Sequence, residues 1–320
     1  MKPSPCFRRP FLHPILRRLT LTGALCGALV GVLATPARAD ENLLGYVYGA
    51  ETLPQGKWEA YQWVTLRTGK AEGTYSAFDL RTEIETGLTD RLQAAFYVNA
   101  RSHHIDGVPG LEDRDSFAFQ GASAEFKYRL RSPYIDGYGL ALYIEPGYNR
   151  IDKISGEVEE ELELETKLIF QKNFLEDTLI WSLNYTLEPE WAIGHHEDDE
   201  EEEASHAGDA PAEHEDEAGE EHEARKELAE ELATGVSCRI ANRWFVGTEL
   251  RLHSEWPDFS HREHLAAFLG PTLHYGGERF WWTATVLPQI WGWPDDEVTE
   301  LQLDEHERLE VRFKLGVNFR

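Results

Sequence analysis

Hydrophobic and polar residues alternate along most of the chain, from about Lys57 to Arg320. Between residues 76 and 88, Phe78, Leu80 and Ile84 share one face, and charged residues occupy most of the positions between them. The last segment, 309–319, alternates in the same way. A two-residue period places successive side chains on opposite faces of a β-strand. The pattern therefore predicts a chain built of strands.

Strand length separates two kinds of all-β protein, because a soluble sandwich also alternates. Soluble strands average about 5–6 residues, whereas a tilted membrane strand needs about 9–11. We expect twelve strands of the longer kind, at 57–68, 76–88, 91–103, 116–130, 138–150, 157–171, 178–191, 226–239, 243–255, 264–275, 280–291 and 306–319. The predicted fold is an all-β, transmembrane, antiparallel up-and-down β-barrel, and a periplasmic sandwich is the alternative.

The connections between these strands alternate in length, as the short periplasmic turns and longer outer loops of bacterial outer-membrane barrels do. Thr89-Asp90 and Gly276-Gly277 are short, whereas 192–225 and 292–305 are long. The alternation predicts that both termini lie on the periplasmic side. Aromatic residues cluster near both ends of the strands, as in the aromatic girdles of membrane proteins.

The first 39 residues have the pattern of an export signal. A basic front precedes a short apolar run, and Ala37-Arg38-Ala39 provides a small-x-small cleavage pattern. The predicted organisation is a signal peptide at 1–39, a periplasmic N-terminal segment at 40–56 and a barrel at 57–320.

Charge excludes several classes of partner. Of the 31 basic residues, six lie in the signal, which leaves 25 against 58 acidic residues and a net charge of −33. Such a chain is poorly suited to nucleic acid, which requires a positive surface. Cys238 alone follows the signal, so neither an intrachain disulfide nor a multi-cysteine metal site can form.

The segment 195–224 is strongly biased, with five histidines and fifteen acidic residues. It cannot bury enough apolar surface to fold and is predicted to be a disordered outer loop. One interpretation is a solvated loop that repels anionic surfaces. The other is weak binding of divalent metal ions, since imidazole and carboxylate groups suit such ions. The candidate metal ligands are His195, His196, His206, His214 and His222.

The polar faces of the strands are expected to line the barrel interior. The candidate lining residues are Arg81, Glu83, Glu85, Glu125, Lys127, Arg129, Glu161, Glu163, Glu165, Arg251, Arg312 and Lys314. These charges could pair across strands and close the interior, or could line a narrow cation-preferring channel. The sequence leaves both alternatives open.

No convincing catalytic constellation is present in the sequence. Ser102-His103-His104 falls at a strand end, and His253-Ser254 places its two side chains on opposite faces. We therefore expect that the protein is not an enzyme and that it needs no cofactor apart from weakly bound divalent metal.

Two stretches resemble known protein groups. The closing strand, with Leu315-Gly316-Val317-Asn318-Phe319, resembles the C-terminal assembly signal of Gram-negative outer-membrane proteins, although Arg320 follows the aromatic residue. The stretch NLLGYVYGAETLPQGKWEAYQW (42–63) resembles the start of an uncharacterised family of proteobacterial outer-membrane barrels. More distantly, the layout is similar to barrels linked to aromatic-degradation pathways. The resemblance implies contact with outer-membrane lipids and the barrel-assembly machinery, and it implies no catalytic residues.

The expected function is passive passage or capture of small solutes, with a preference for cations, in the outer membrane of a Gram-negative bacterium. The alternative is a non-conducting barrel whose acidic loop binds divalent cations or acts as a surface interaction module.

Overall fold

The computed structural model describes residues 42–193, 225–295 and 299–319. Over these residues, twelve antiparallel strands form one closed barrel, in which each strand pairs with its neighbours in sequence and β1 pairs with β12. The strands are β1 (Trp58–Thr68), β2 (Thr74–Thr89), β3 (Leu92–Asp106), β4 (Arg114–Arg131), β5 (Gly139–Ile151), β6 (Val158–Phe174), β7 (Leu179–Ala192), β8 (Lys226–Ala241), β9 (Trp244–Pro257), β10 (His264–Gly276), β11 (Phe280–Trp293) and β12 (Leu309–Phe319). The predicted up-and-down barrel is confirmed, and the single closed sheet excludes the sandwich.

The strands are 11 to 18 residues long, as expected for strands that cross a membrane at a tilt. Each strand begins and ends within three residues of its prediction. β12 begins at Leu309 instead of 306, because the residues before it turn into the barrel and pack against its inner wall.

The outer face of the barrel is apolar and the inner face is polar, which is the reverse of a water-soluble protein. On the outer face, Phe96 is 55% exposed and Ile84 is 54% exposed. On the inner face, Glu83 and Glu85 are buried. An apolar outside and a charged inside are typical of a transmembrane barrel.

The barrel has two distinguishable ends. The turn end carries the short connections, such as 90–91 and 242–243, and the loop end carries the longer ones, such as 152–157 and 294–308. In the described part of the chain, no helix is long and apolar enough to cross a membrane. The predicted signal peptide and nearly all of the predicted acidic loop lie outside the described residues.

Candidate functional site: the barrel interior

The segment Asn42–Leu53, which we call the plug segment, lies inside the barrel at its turn end. The sequence predicts a periplasmic N-terminal segment at 40–56, and in the structure residues 42–53 lie within the lumen. Leu44 and Val47 of this segment are buried in an apolar cluster with Ile180 and Phe245 of the barrel wall. Burial of each such side chain contributes about 1.5–3 kcal/mol, so the plug segment is held partly by apolar packing.

Glu249 on β9 holds the middle of the plug segment. Its fully buried carboxylate accepts hydrogen bonds from three consecutive backbone N–H groups. The donors are Gly45, Tyr46 and Val47, at 2.8, 2.7 and 3.0 Å. The backbone approaches so closely that a Cβ atom on Gly45 would lie 2.4 Å from the hydroxyl oxygen of Thr285. A glycine is therefore required at this position.

Side-chain amides continue the same arrangement along the rest of the plug segment. Three backbone N–H groups donate to amide oxygens on three different strands. These bonds join Tyr48 to Asn184 at 2.6 Å, Ala50 to Gln171 at 2.7 Å and Leu53 to Gln93 at 2.9 Å. Buried backbone donors need acceptors, and here lumen side chains supply them without any strand pairing.

At the loop end, two connections fold into the barrel. Arg67 on β1 links them, because its guanidinium donates to the carboxylate of Glu307 at 2.6 Å and to the backbone oxygen of Lys153 at 2.5 Å. The same guanidinium pairs with Asp79, at 2.9 Å. Arg67 is only 3% exposed, so the inward position of both loops depends on a buried ion-pair network.

Three histidines from three elements meet at the loop end. The Nε2 atoms of His253 and His264 lie 3.1 and 2.7 Å from the carboxylate of Glu255, and we infer that both donate to it. The Nδ1 atom of His264 lies 3.0 Å from Nε2 of His306, on the inward loop. Burial keeps the pKa of His306 well below its usual value, so His306 is neutral and donates this hydrogen bond.

The charges of the lumen are divided between two sides. Carboxylates concentrate on β6, β7 and β8, on a surface that we call the acidic wall: Glu161, Glu163, Glu165, Glu188, Glu190, Glu227 and Glu231. Most basic side chains lie elsewhere and are paired. Arg81 pairs with Glu145, and Arg251 bridges Glu231 and Glu310 at 2.7 and 2.6 Å.

Water reaches the acidic wall more readily than it reaches most of the bases. Glu188 and Glu190 are partly exposed, whereas Lys127 and Lys314 are 1% and 2% exposed. Lys153 is the exception, because its side chain is exposed. It lies near the carboxylates of Glu255, Glu310 and Glu307. Desolvation lowers the pKa of Lys153, but the nearby carboxylates, Glu255 foremost, raise it by more. The net pKa is raised, so Lys153 stays charged. The acidic side chains of the lumen are therefore more accessible to water than most of the basic ones.

The structure places most of the predicted lining residues on the inner face. Those that lie there are Arg81, Glu83, Glu85, Glu125, Lys127, Glu161, Glu163, Glu165, Arg251, Arg312 and Lys314. Arg129 lies at the rim of the turn end, where its guanidinium donates to the backbone oxygen of Asp90.

The predicted metal ligands His195, His196, His206, His214 and His222 lie outside the described residues. Within 42–193, 225–295 and 299–319, no group of three or more His, Cys, Asp or Glu side chains is arranged to hold a metal ion. Metal binding by the 195–224 segment stays a prediction.

Sequence reasoning missed the plug segment and the histidine cluster. A signal for the first was present, because Leu43, Leu44, Tyr46 and Val47 form an apolar run that has no reason to remain in water. No comparable signal marks the histidine cluster. His253 and His264 lie on adjacent strands, but His306 reaches them only because the loop before β12 turns into the lumen.

Comparison with known proteins agrees with the fold. Residues 36–319 match the profile of DUF6662, described as a family of unknown function. No curated protein sequence matches the chain. A COG4313 outer membrane channel from Pseudomonas putida F1 superposes with a TM-score of 0.51 at 12% identity, over 90% of this chain and 100% of that chain. The NanC porin gives 0.44 at 10% identity, over 82% and 99%. A TodX monoaromatic hydrocarbon channel mutant gives 0.38 at 8% identity, over 83% and 90%. The first of these similarities shows the fold.

Proposed function

Because the chain belongs to DUF6662, a family of unknown function, we propose its role from the geometry of the barrel interior. The protein is a restricted passage for small solutes, with a preference for cations, in the outer membrane of a Gram-negative bacterium. The observation that carries this proposal is the acidic wall, where carboxylates face water inside a closed barrel.

The preference for cations follows from how the charges are paired. Lys127, Lys314 and Arg67 are buried, and Arg67 is neutralised by two carboxylates, so these bases act weakly on a solute in the lumen. Glu188 and Glu190 are partly exposed to water and place their carboxyl groups within reach of a passing ion. Rings or walls of carboxylates are how cation-selective pores attract their ions.

The plug segment and the inward loops make the passage restricted. A twelve-stranded barrel is intermediate in width between filled eight-stranded barrels and open porins, and here the lumen is narrowed from both ends. The same closures favour the second candidate function, a non-conducting barrel that acts as a surface module.

Conductance in planar bilayers tests the proposal. We expect small steps in potassium chloride and a reversal potential of cation-selective sign in a salt gradient. Glu190→Gln removes one carboxyl group of the acidic wall and should move the reversal potential towards zero, with a larger effect at higher pH. The matched control is Glu278→Gln, which removes the same group from an exposed turn. Silence of the folded protein at all voltages would contradict the passage and favour the surface module.

We also propose that the barrel is not an enzyme. His253 faces Glu231 and Glu255 in the lumen, whereas the hydroxyl of Ser254 lies 3.5 Å from Glu230 on the outer face, so the two cannot act together. The proposed partners are outer-membrane lipids on the apolar outer face and the barrel-assembly machinery during insertion.

A further inference from the structure

A small cavity lies against the acidic wall, between β6 and β9. Its volume is about 40 Å³, enough for a water molecule or an ammonium group. Directly paired residues on the four strands form one row of its lining: Lys167, Thr186, Glu231 and His253. The next row contains Glu188, paired to Ala229, and the small alanine side chain leaves the space open.

The hydroxyl of Thr186, a residue 4% exposed, is a buried polar atom of this lining without a hydrogen-bond partner in the described part of the chain. His253 lies between two carboxylates, with Nδ1 3.6 Å from Glu231 and Nε2 3.1 Å from Glu255. Buried polar atoms without partners are uncommon and costly, so the Thr186 hydroxyl indicates that a ligand completes the site.

The carboxylates of the lining are unevenly compensated. Glu231 pairs with Arg251 at 2.7 Å, and Glu165 pairs with Lys167 at 2.7 Å. For Glu188, no ion pair or hydrogen bond is found among the described residues. The cavity therefore offers the Thr186 hydroxyl and one carboxyl group, that of Glu188, without a partner among these residues.

Lys167 shows which kind of cation suits this environment. Its ammonium group lies beside Glu165 and also 5.2 and 5.3 Å from the ring centroids of Tyr48 and Tyr143. Carboxylates and aromatic faces both stabilise ammonium groups. A divalent metal ion fits less well, since these side chains are not arranged as metal ligands.

We propose that this cavity binds the ammonium group of small amines, so that amine cations are the solute class of the passage. That these amines pass through the barrel rests on the proposed function, because a binding site alone does not imply transport. Along β6 the carboxylates recur at every second residue, about 7 Å apart, which suits a diamine lying along the acidic wall.

Isothermal titration of the folded full-length chain with 1,4-diaminobutane tests the site. We expect saturable binding of one diamine per chain. Glu188→Gln and Thr186→Val should each weaken it roughly tenfold, the loss that corresponds to one charge-assisted hydrogen bond. Ala229→Leu should abolish binding without changing any charge, because the added side chain fills the cavity. Tetramethylammonium, which has no N–H donor, should not bind.

The controls separate a built site from general attraction to an acidic lumen. Glu278→Gln, with the same loss of charge on an exposed turn, should bind the diamine like the parent chain. A heat-modifiability gel verifies that every variant is folded. Equal binding by the parent, Ala229→Leu and Glu188→Gln chains would overturn the proposal, as would the absence of saturable binding.

The two proposals fail separately. Cation-selective conductance without binding that depends on Glu188 would overturn the amine site and leave the passage intact. Binding that depends on Glu188 supports the amine site even in a barrel that is silent in bilayers, a result that would contradict only the passage.

Discussion

The two ends of the lumen are closed by different chemistry. At the turn end, backbone N–H groups of the plug segment donate to Glu249, Asn184, Gln171 and Gln93, and apolar side chains pack around them. At the loop end, charged groups and histidines hold the inward loops, with Arg67 at the centre.

One barrel therefore combines two kinds of closure. Backbone hydrogen bonds and apolar packing depend little on pH or salt near neutrality, whereas histidines titrate in that range. We therefore expect the turn end to respond to mutation and the loop end to respond also to solution conditions.

The largest effect is expected for Glu249→Ala. It leaves three buried backbone N–H groups without their acceptor, which should destabilise the seated plug segment by about 5 kcal/mol. Single-channel conductance should rise several-fold, and a cysteine introduced at Gly49 should become accessible to a thiol reagent. An unchanged conductance in a folded variant would show that the plug segment does not limit the passage.

Arg67→Ala should open the other end. The change leaves Glu307 without a cation in a buried site, at a cost of about 3 kcal/mol, whereas Asp79 keeps its ion pair with Arg101. Hydrogen exchange should increase in 152–157 and in 299–308 while the plug segment keeps its protection. Equal exchange at both ends would mean that the two closures are coupled.

A smaller effect concerns pH at the loop end. The pKa of His306 is lowered in the inward loop, so protonation favours a released loop, and stability is lost as the pH falls below about 6.5. Burial and Glu255 raise the pKa of Glu305 in the inward loop, so protonation of Glu305 favours the inward loop and opposes the effect of His306. His253, His264 and Lys153 also face His306.

The variant His306→Gln isolates this contribution, because the other groups remain. Between pH 7 and pH 5, hydrogen exchange of 299–308 should increase in the parent chain by several-fold more than in the variant. The plug segment provides the internal reference, and its exchange should follow only the intrinsic pH dependence. Identical pH profiles for 299–308 in the two chains would contradict a role for His306.

The smallest effect is expected at an exposed ion pair. Arg243 and Glu278 lie 2.8 Å apart at the turn end, but the Glu278 side chain is 79% exposed. Surface pairs of this kind contribute little to stability. Glu278→Gln should leave conductance, the thermal midpoint and both exchange patterns unchanged.

The sequence predicts the barrel wall closely, because alternation and strand length are local properties. In the segment 309–319, lipid-facing and lumen-facing residues alternate one by one along the sequence. Register follows, since a shift of one residue would turn Glu310 outward and Phe313 inward.

The contents of the lumen are much harder to predict. The hydrogen bond between Gly45 and Glu249 joins residues 204 positions apart, and no local sequence pattern predicts it. The cavity depends on Ala229 lying between longer side chains on neighbouring strands, which becomes visible only once the pairing is known. The sequence left open whether the lumen charges pair across strands or line a channel, and only the structure shows which bases are paired and which acidic side chains face water.

The connection between the plug segment and β1 determines how a released plug would behave. Gln55 bridges to Gly87, and Gly56 donates to the Gly87 oxygen at 2.8 Å, so the chain is anchored directly beyond the plug segment. A released plug segment therefore stays tethered to the barrel by a very short linker, and its effective concentration at the lumen is on the order of millimolar or above. Its return to the lumen is a first-order event independent of protein concentration. Any opening at the turn end would consequently be brief and self-terminating.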